Sequence, residues 1–235
     1  MTKIRLWDAP LRVFHWSLVA LVLSAFATGL IGGGLMDWHG RMGALILALL
    51  GFRMVWGVVG STYARFNHFI KGPGTILAYL KGQWHGIGHN PLGALSVLGM
   101  LGVLLLQAVT GLMANDDIAF QGPYNILVSK ETEALAIYIH KHLFWLVGLL
   151  VALHLGAIVF YSRVKGDNLV KPMIYGDKDV ADTPGQPVPP NAQGGGPIAL
   201  VIALLFALLV GWVAWGGPVK YLAPPPPPAA DTPNW

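Results

Sequence analysis

His140-Lys-His-Leu-Phe-Trp-Leu-Val-Gly-Leu-Leu-Val-Ala-Leu-His154 is an apolar run bracketed by imidazoles. It lies at the start of a longer hydrophobic stretch, residues 143–161, with the length of a membrane-crossing helix. At 3.6 residues per turn, a fourteen-residue interval brings His154 back to nearly the face of His140, displaced by about 21 Å along the axis. His142 points about 200° round the helix from His140 and leaves that register. One helix face thus carries two imidazoles at two depths, and a buried ionisable side chain inside a membrane is a functional candidate because of its desolvation cost.

Four further apolar stretches flank this one, at residues 13–32, 40–59, 92–113 and 198–215. A hydrocarbon core of about 30 Å needs roughly 20 helical residues, so each qualifies as a span. Lipid offers no partner to backbone polar groups, which makes the spans helices. Composition agrees: 11% of the 235 residues are charged, against about a quarter in an ordinary soluble domain, and the mean hydropathy is +0.58. The fold class is an all-α membrane protein, a four-helix transmembrane bundle with a fifth C-terminal transmembrane helix. The expected units are the bundle at 1–178, a Pro/Gly-rich flexible cytoplasmic linker at 179–197, the fifth helix at 198–216 and a Pro-rich tail at 217–235.

The net charge of +4 is not a nucleic-acid footprint, because the basic residues sit in loops between spans. Eleven of the fifteen, among them Lys3, Arg5, Arg65, Lys71, Arg163 and Lys178, fall on one side if the helices alternate. Positive loops stay inside, which predicts a multi-pass membrane protein with a cytoplasmic N-terminus and a C-terminus on the outer side. Asp8-Ala9-Pro10 reads as a helix start. The inner loop 61–90 contains an amphipathic stretch at 76–80, and the outer loop 115–138 a short helix at 132–137. Pro224 to Pro228 read as extended polyproline.

No cysteine is present, which excludes disulfides, thiolate-held iron–sulfur clusters and covalently attached c-type haem. Histidine is the available metal ligand. His39 opens the second span at the depth of His140, and His15 lies in the first span at the depth of His154. Each pairing joins different helices at one level, which suits a flat macrocycle with one axial imidazole on each face. Zinc fits worse, with two ligands per layer and no carboxylate at matching depth. His68, His85 and His89 fall in the inner loop and read as solvated or interfacial. Arg41 beside His39, with Arg12 and Arg53 on the inner side, are candidate cofactor-binding residues for haem propionates; they read equally as markers of the membrane edge. Trp16, Trp38, Trp56 and Trp145 read as interfacial anchors or pocket packing, and Gly43, Gly51, Gly57 and Gly102 as points of close approach.

Across residues 5–178 the chain resembles the bacterial cytochrome b561 and nickel-hydrogenase b-type cytochrome family. The likeness rests on Arg5-Leu-Trp-Asp-Ala-Pro-Leu-Arg-Val-Phe-His-Trp16, Trp38-His-Gly-Arg-Met-Gly43, Phe52-Arg-Met-Val-Trp56, Gly88-His-Asn-Pro-Leu-Gly93, the two histidines of the fourth helix and Gly166-Asp-Asn-Leu-Val-Lys-Pro-Met173. It implies two non-covalent haems b, held by His15 with His154 and by His39 with His140. It further implies quinone as an electron donor or acceptor, and a partner redox protein such as a c-type cytochrome, dehydrogenase or hydrogenase. The fifth helix and the Pro-rich tail depart from the shortest members.

The expected function is a di-haem cytochrome carrying single electrons in the membrane between the quinone pool and that partner, as an electron-transfer subunit of an oxidoreductase system. Two alternatives stand beside it: a self-sufficient quinol oxidase acting on a small oxidant such as superoxide, and a haem-free membrane anchor. No acid–base or nucleophilic constellation points to bond-making chemistry by side chains.

Overall fold

The computed structural model describes residues 1–84, 86–181 and 187–223. His85, residues 182–186 of the expected linker and the polyproline run 224–228 lie outside the described residues.

Five helices are long and apolar enough to cross a membrane: α1 (Ala9–Ile31), α2 (Met36–Val59), α5 (Pro91–Gly111), α6 (Lys130–Arg163) and α8 (Pro197–Ala214). Short helices α3 (Phe66–Phe69), α4 (Pro73–Leu80), α7 (Val170–Tyr175) and α9 (Val219–Leu222) lie in the connections. The span starts are written in the sequence. Asp8 accepts the Leu11 amide at 2.7 Å and Asn90 accepts that of Gly93 at 2.7 Å, each followed by a proline in the first turn. Both arrangements satisfy amide groups that a helix N-terminus leaves unpaired.

α2 is the axis of the bundle. Half of its apolar window, 50%, is buried inside the protein, against 6–11% in the other four spans, so those turn most of their leucines outward to lipid. α1, α5 and α8 pack around α2, and α6 packs along α5. The fifth helix is seated closely: a Cβ on Gly51 would come within 2.9 Å of Val210, and one on Gly211 within 3.3 Å of Ala48. Small residues at such crossings let membrane helices approach where no hydrophobic drive exists between them.

The fourth span differs from expectation. The short helix expected at 132–137 and the span at 143–161 are one 34-residue helix, α6, about 51 Å long at 1.5 Å per residue and thus longer than the hydrocarbon core. Ser129 caps it by accepting the Thr132 amide, and Glu131 and Glu133 stand in its first turn, where acidic groups favour a helix start. No Gly or Pro interrupts Lys130 to His140, so polar composition alone does not end the helix. His140 lies three turns inside it rather than at its opening.

The sequence also holds a small sheet that no alternation of residues announced. β1 (Thr2–Arg5) pairs antiparallel with β2 (Asp177–Val180), Arg5 opposite Asp177. Gly176, at φ 94°, turns the chain between α7 and β2, and its carbonyl accepts from the amides of Leu6 and Trp7 at 2.8 and 3.0 Å. A side chain there would strike the Trp7 carbonyl at 2.8 Å.

Residues 190–194, expected as part of a flexible linker, are hydrogen-bonded across the same end of the bundle. Tyr63 donates to the Pro190 carbonyl at 2.6 Å, Asn191 accepts the Arg5 amide at 2.7 Å, and the Gln193 carbonyl accepts the Thr62 amide at 2.8 Å. Proline and glycine supply no ladder of their own here; partners on β1 and on the turn after α2 take up the backbone groups.

Candidate functional site

Two imidazole pairs occupy two levels of the bundle. His39 near the start of α2 faces His140 of α6 with ring centroids 6.0 Å apart, and His15 of α1 faces His154 of α6 at 6.5 Å. A metal–nitrogen bond is ~2 Å and a ring nitrogen sits ~1 Å from the imidazole centroid, so two rings facing one iron from opposite sides have centroids ~6 Å apart. Both spacings fit. All four rings are partly buried, whereas His142 is exposed and donates from Nδ1 to the Tyr138 carbonyl one turn back. Between the two ligand levels, α6 turns Val147 inward on the same face.

The first pair is set in a defined tautomer. His39 Nδ1 lies 2.9 Å from the Ala25 carbonyl of α1, and His140 Nδ1 lies 2.8 Å from the Gln107 carbonyl of α5. A carbonyl only accepts, so each Nδ1 carries the proton and each Nε2 keeps its lone pair. That is the form in which an imidazole binds a metal through Nε2 while its other nitrogen is fixed by a carbonyl. The amide of Gln107 donates to His140 Nε2 at 3.2 Å, taking up the lone pair from which a metal would displace it, and Thr28 and Thr110 approach the two Nδ1 atoms at 3.5 and 3.3 Å. None of these three supporting residues stood out in the sequence. A serine, threonine or glutamine in a membrane helix has many uses, and only the neighbouring helix reveals which ring it meets.

Room for a flat group exists at this level. A cavity of about 390 Å³ bounded in part by His39, Arg41, Gly43, Ala108, Phe120 and His140 adjoins a second of about 60 Å³ that shares His39, Gly43, Ala108 and His140. A Cβ on Gly43 would meet nothing within 4 Å, so this glycine opens space rather than closing a helix contact. Gly29 and Gly111 make way for the rings themselves: a Cβ on either would come within 3.0 Å of His39 or His140 respectively. Gly51 and Gly57, by contrast, are points of close packing, against Val210 and Phe66; Gly102 faces open space.

The second pair has unpaired polar atoms around it. His15 Nδ1, Arg12 Nε, Arg53 Nη1 and His89 Nδ1 are all enclosed and without a hydrogen-bond partner. Enclosed polar groups are nearly always satisfied, so this cluster has the donor set for an anionic, metal-bearing group. The three arginines separate: Arg53 is buried (2% exposed), Arg12 is partly buried with Nη1 donating to the Ile174 carbonyl, and Arg41 is exposed over the Trp38 ring.

Two sequence readings change. Trp56 is not an interfacial anchor; it is wholly buried, with its indole N–H 3.0 Å from the Asp8 carboxylate that also accepts from Ser61. His89 is not a freely solvated loop residue: it is partly buried, with the Trp7 and Phe69 rings each 4.8 Å from it between centroids and its Nδ1 enclosed, while it also lines a cavity of about 310 Å³. Burial, then the charge of Arg53, pushes its pKa down to about 3, so it is a neutral imidazole. His68, half-buried against the Tyr63 ring, is also held below its ordinary value, by burial and then by Lys71.

Among curated proteins the chain is similar to the "Probable Ni/Fe-hydrogenase B-type cytochrome subunit" of Rhizobium leguminosarum bv. viciae, 21% identical over 212 residues that cover 75% of this chain and 89% of that one. No solved structure matches it. Residues 6–176 match the family of prokaryotic cytochrome b561, and they span α1 to α7 with both imidazole pairs. The chain therefore belongs to the prokaryotic cytochrome b561 family, and is a multi-pass membrane b-type cytochrome of electron transfer.

Proposed function

We propose that this cytochrome holds two haems b, one between His39 and His140 and one between His15 and His154, and passes single electrons between the quinone pool and a partner redox protein. The observation that carries the reading is the pair of imidazole pairs, 6.0 and 6.5 Å between centroids, on one face of α6. Bound haem iron would supply the one-electron redox couple. The chain's own residues do the rest. Ala25 and Gln107 carbonyls orient the ligand rings, α1, α2, α5 and α6 exclude water, and Arg12 and Arg53 offer positive charge to propionates at the basic end. Residues 1–178 hold every proposed ligand, and α8 braces α2 from behind.

The basic loops support a cytoplasmic N-terminus in a bacterial inner membrane, with the His15–His154 pair on that side and the C-terminus periplasmic. Quinone exchange belongs at the same end, where a cavity of about 310 Å³ is lined in part by Tyr63, His68, Phe69, Lys71 and Trp84. The hydrogenase-subunit relative supports a hydrogenase as one partner, and a c-type cytochrome or a dehydrogenase is the other class of protein such a carrier would serve.

Haem extracted from the purified chain tests the count. Two haems b per polypeptide, with a reduced-minus-oxidised spectrum altered separately by His39→Ala and His15→Ala, are the expected result. A colourless folded protein would overturn it. For the quinone, Lys71→Ala should slow haem reduction by a quinol without changing the spectrum; an unchanged rate would remove that cavity from the pathway.

A further inference from the structure

Arg53 carries a buried nitrogen, Nη1, that no hydrogen bond of the polypeptide satisfies. It lies inside α2 with 2% exposure, its guanidinium 4.6 Å over the Phe66 ring and 6.0 Å from that of Phe69. The carboxylate of Asp8 acts on it electrostatically but already accepts from the Leu11 amide, the Trp56 indole and Ser61. A cation taken from water needs an anion with free lone pairs. Phe69 also contacts His89, at 4.8 Å between ring centroids, and the enclosed Nδ1 of His89 is likewise unpartnered. The two unpartnered nitrogens thus belong to side chains that share the Phe69 ring, and the charges of Arg53, His154 and His15 act on His89. A neutral imidazole has one ring N–H to donate; a guanidinium has several.

We propose that His89 and Arg53 together bind one propionate carboxylate of the haem held by His15 and His154. The inference rests on that haem's being present. Gly88-His89-Asn-Pro-Leu, leading into α5, is then a cofactor-holding segment: Asn90 caps the helix while the residue before it turns inward. A donor to the carboxylate draws off negative charge near the iron and so favours the ferrous state. Losing the donor lowers the midpoint potential of that haem alone.

The test uses the full-length chain, purified in detergent, with each haem assigned by the spectrum that His15→Ala or His39→Ala removes. In His89→Leu the potential of the His15–His154 haem should fall while the other stays at its wild-type value. His89→Gln, which keeps an N–H donor, should restore it. Reconstitution with haem dimethyl ester, which lacks the carboxylate charge, should abolish the difference between wild type and His89→Leu. A fall that persists with the ester would put His89 in contact with something else and overturn the proposal, as would no fall at all. If His89→Leu binds no haem at this level, His89→Gln decides: full haem content supports the contact, and its loss overturns it. A wild-type chain with no haem between His15 and His154 would instead refute the di-haem reading, a separate outcome read before any variant is made.

Discussion

Each imidazole of the His39–His140 pair has one nitrogen held in orientation and leaves the other for the proposed haem. At the His39–His140 level the orienting partner is a main-chain carbonyl in both cases, which no side-chain substitution removes, so the rings themselves and the glycines beside them are the sensitive positions. On the di-haem reading, His140→Ala should lower the haem content from two per chain to one, and His142→Ala should leave it at two, measured by pyridine haemochrome absorbance. Gly29→Val should press on a ring that a Cβ already meets at 3.0 Å and reduce occupancy of the same haem. The juxtaposition of these rings was legible because helical periodicity is a local rule, fixed by the interval from 140 to 154. The enclosure of His89 was not. It depends on Trp7 and Phe69, residues distant in the chain, and nothing in Gly-His-Asn-Pro says which aromatic groups will close around it.

Among the elements, α1 and the loop after α5 carry the clearest consequences. Asp8 caps α1 and receives Trp56 and Ser61. Asp8→Ala removes a cap of ~1 kcal/mol and leaves a buried indole N–H unpaired at ~1–3 kcal/mol, so the thermal midpoint in detergent should fall. In the loop, Asp116 accepts the amides of Ile118, Ala119 and Phe120 at 3.0, 2.8 and 2.8 Å, and those backbone bonds, chiefly from Ala119 and Phe120, hold its carboxyl below the usual range. A depressed carboxyl contributes stability above its unfolded pKa and loses it as pH falls through the lowered native value. Amide protection at 118–120 should therefore persist at neutral pH and collapse only in acid, and Asp116→Ala should lack it at neutral pH. The loop matters to the site because Phe120 rests on Gly40, where a Cβ would approach to 2.5 Å, next to His39. Span starts could be read from Asp8-Ala-Pro and Asn90-Pro. The true start of α6 could not, since a polar outer loop and a polar helical turn have the same composition, and only the cap at Ser129 separates them.

For the whole molecule, five apolar stretches of sufficient length identify five spans, because the hydrocarbon thickness is an external ruler. Their neighbours are another matter. Lipid and leucine are equally apolar, so hydropathy does not say which helix occupies the centre; the small residues Ala48, Gly51 and Gly211 do so only once paired. Ending the chain after residue 196 would uncover the face of α2 that α8 covers, and the thermal midpoint should drop by several degrees while both imidazole pairs remain on the four other spans. Reporter fusions after residue 216 should be active only outside the cytoplasm if the basic loops set the orientation.

The ladder of β1 cannot form until Asp177–Val180 has been synthesised, and the crossing segment 190–194 arrives later still. During translation, then, the first helices are inserted while the end near His15 is still uncovered, and closure waits for segments made some 170 residues downstream. A nascent chain stalled before that point would leave the proposed His15–His154 haem site accessible from this end. The finished chain covers that end with segments made after α6, so haem loading before closure should be faster than exchange afterwards.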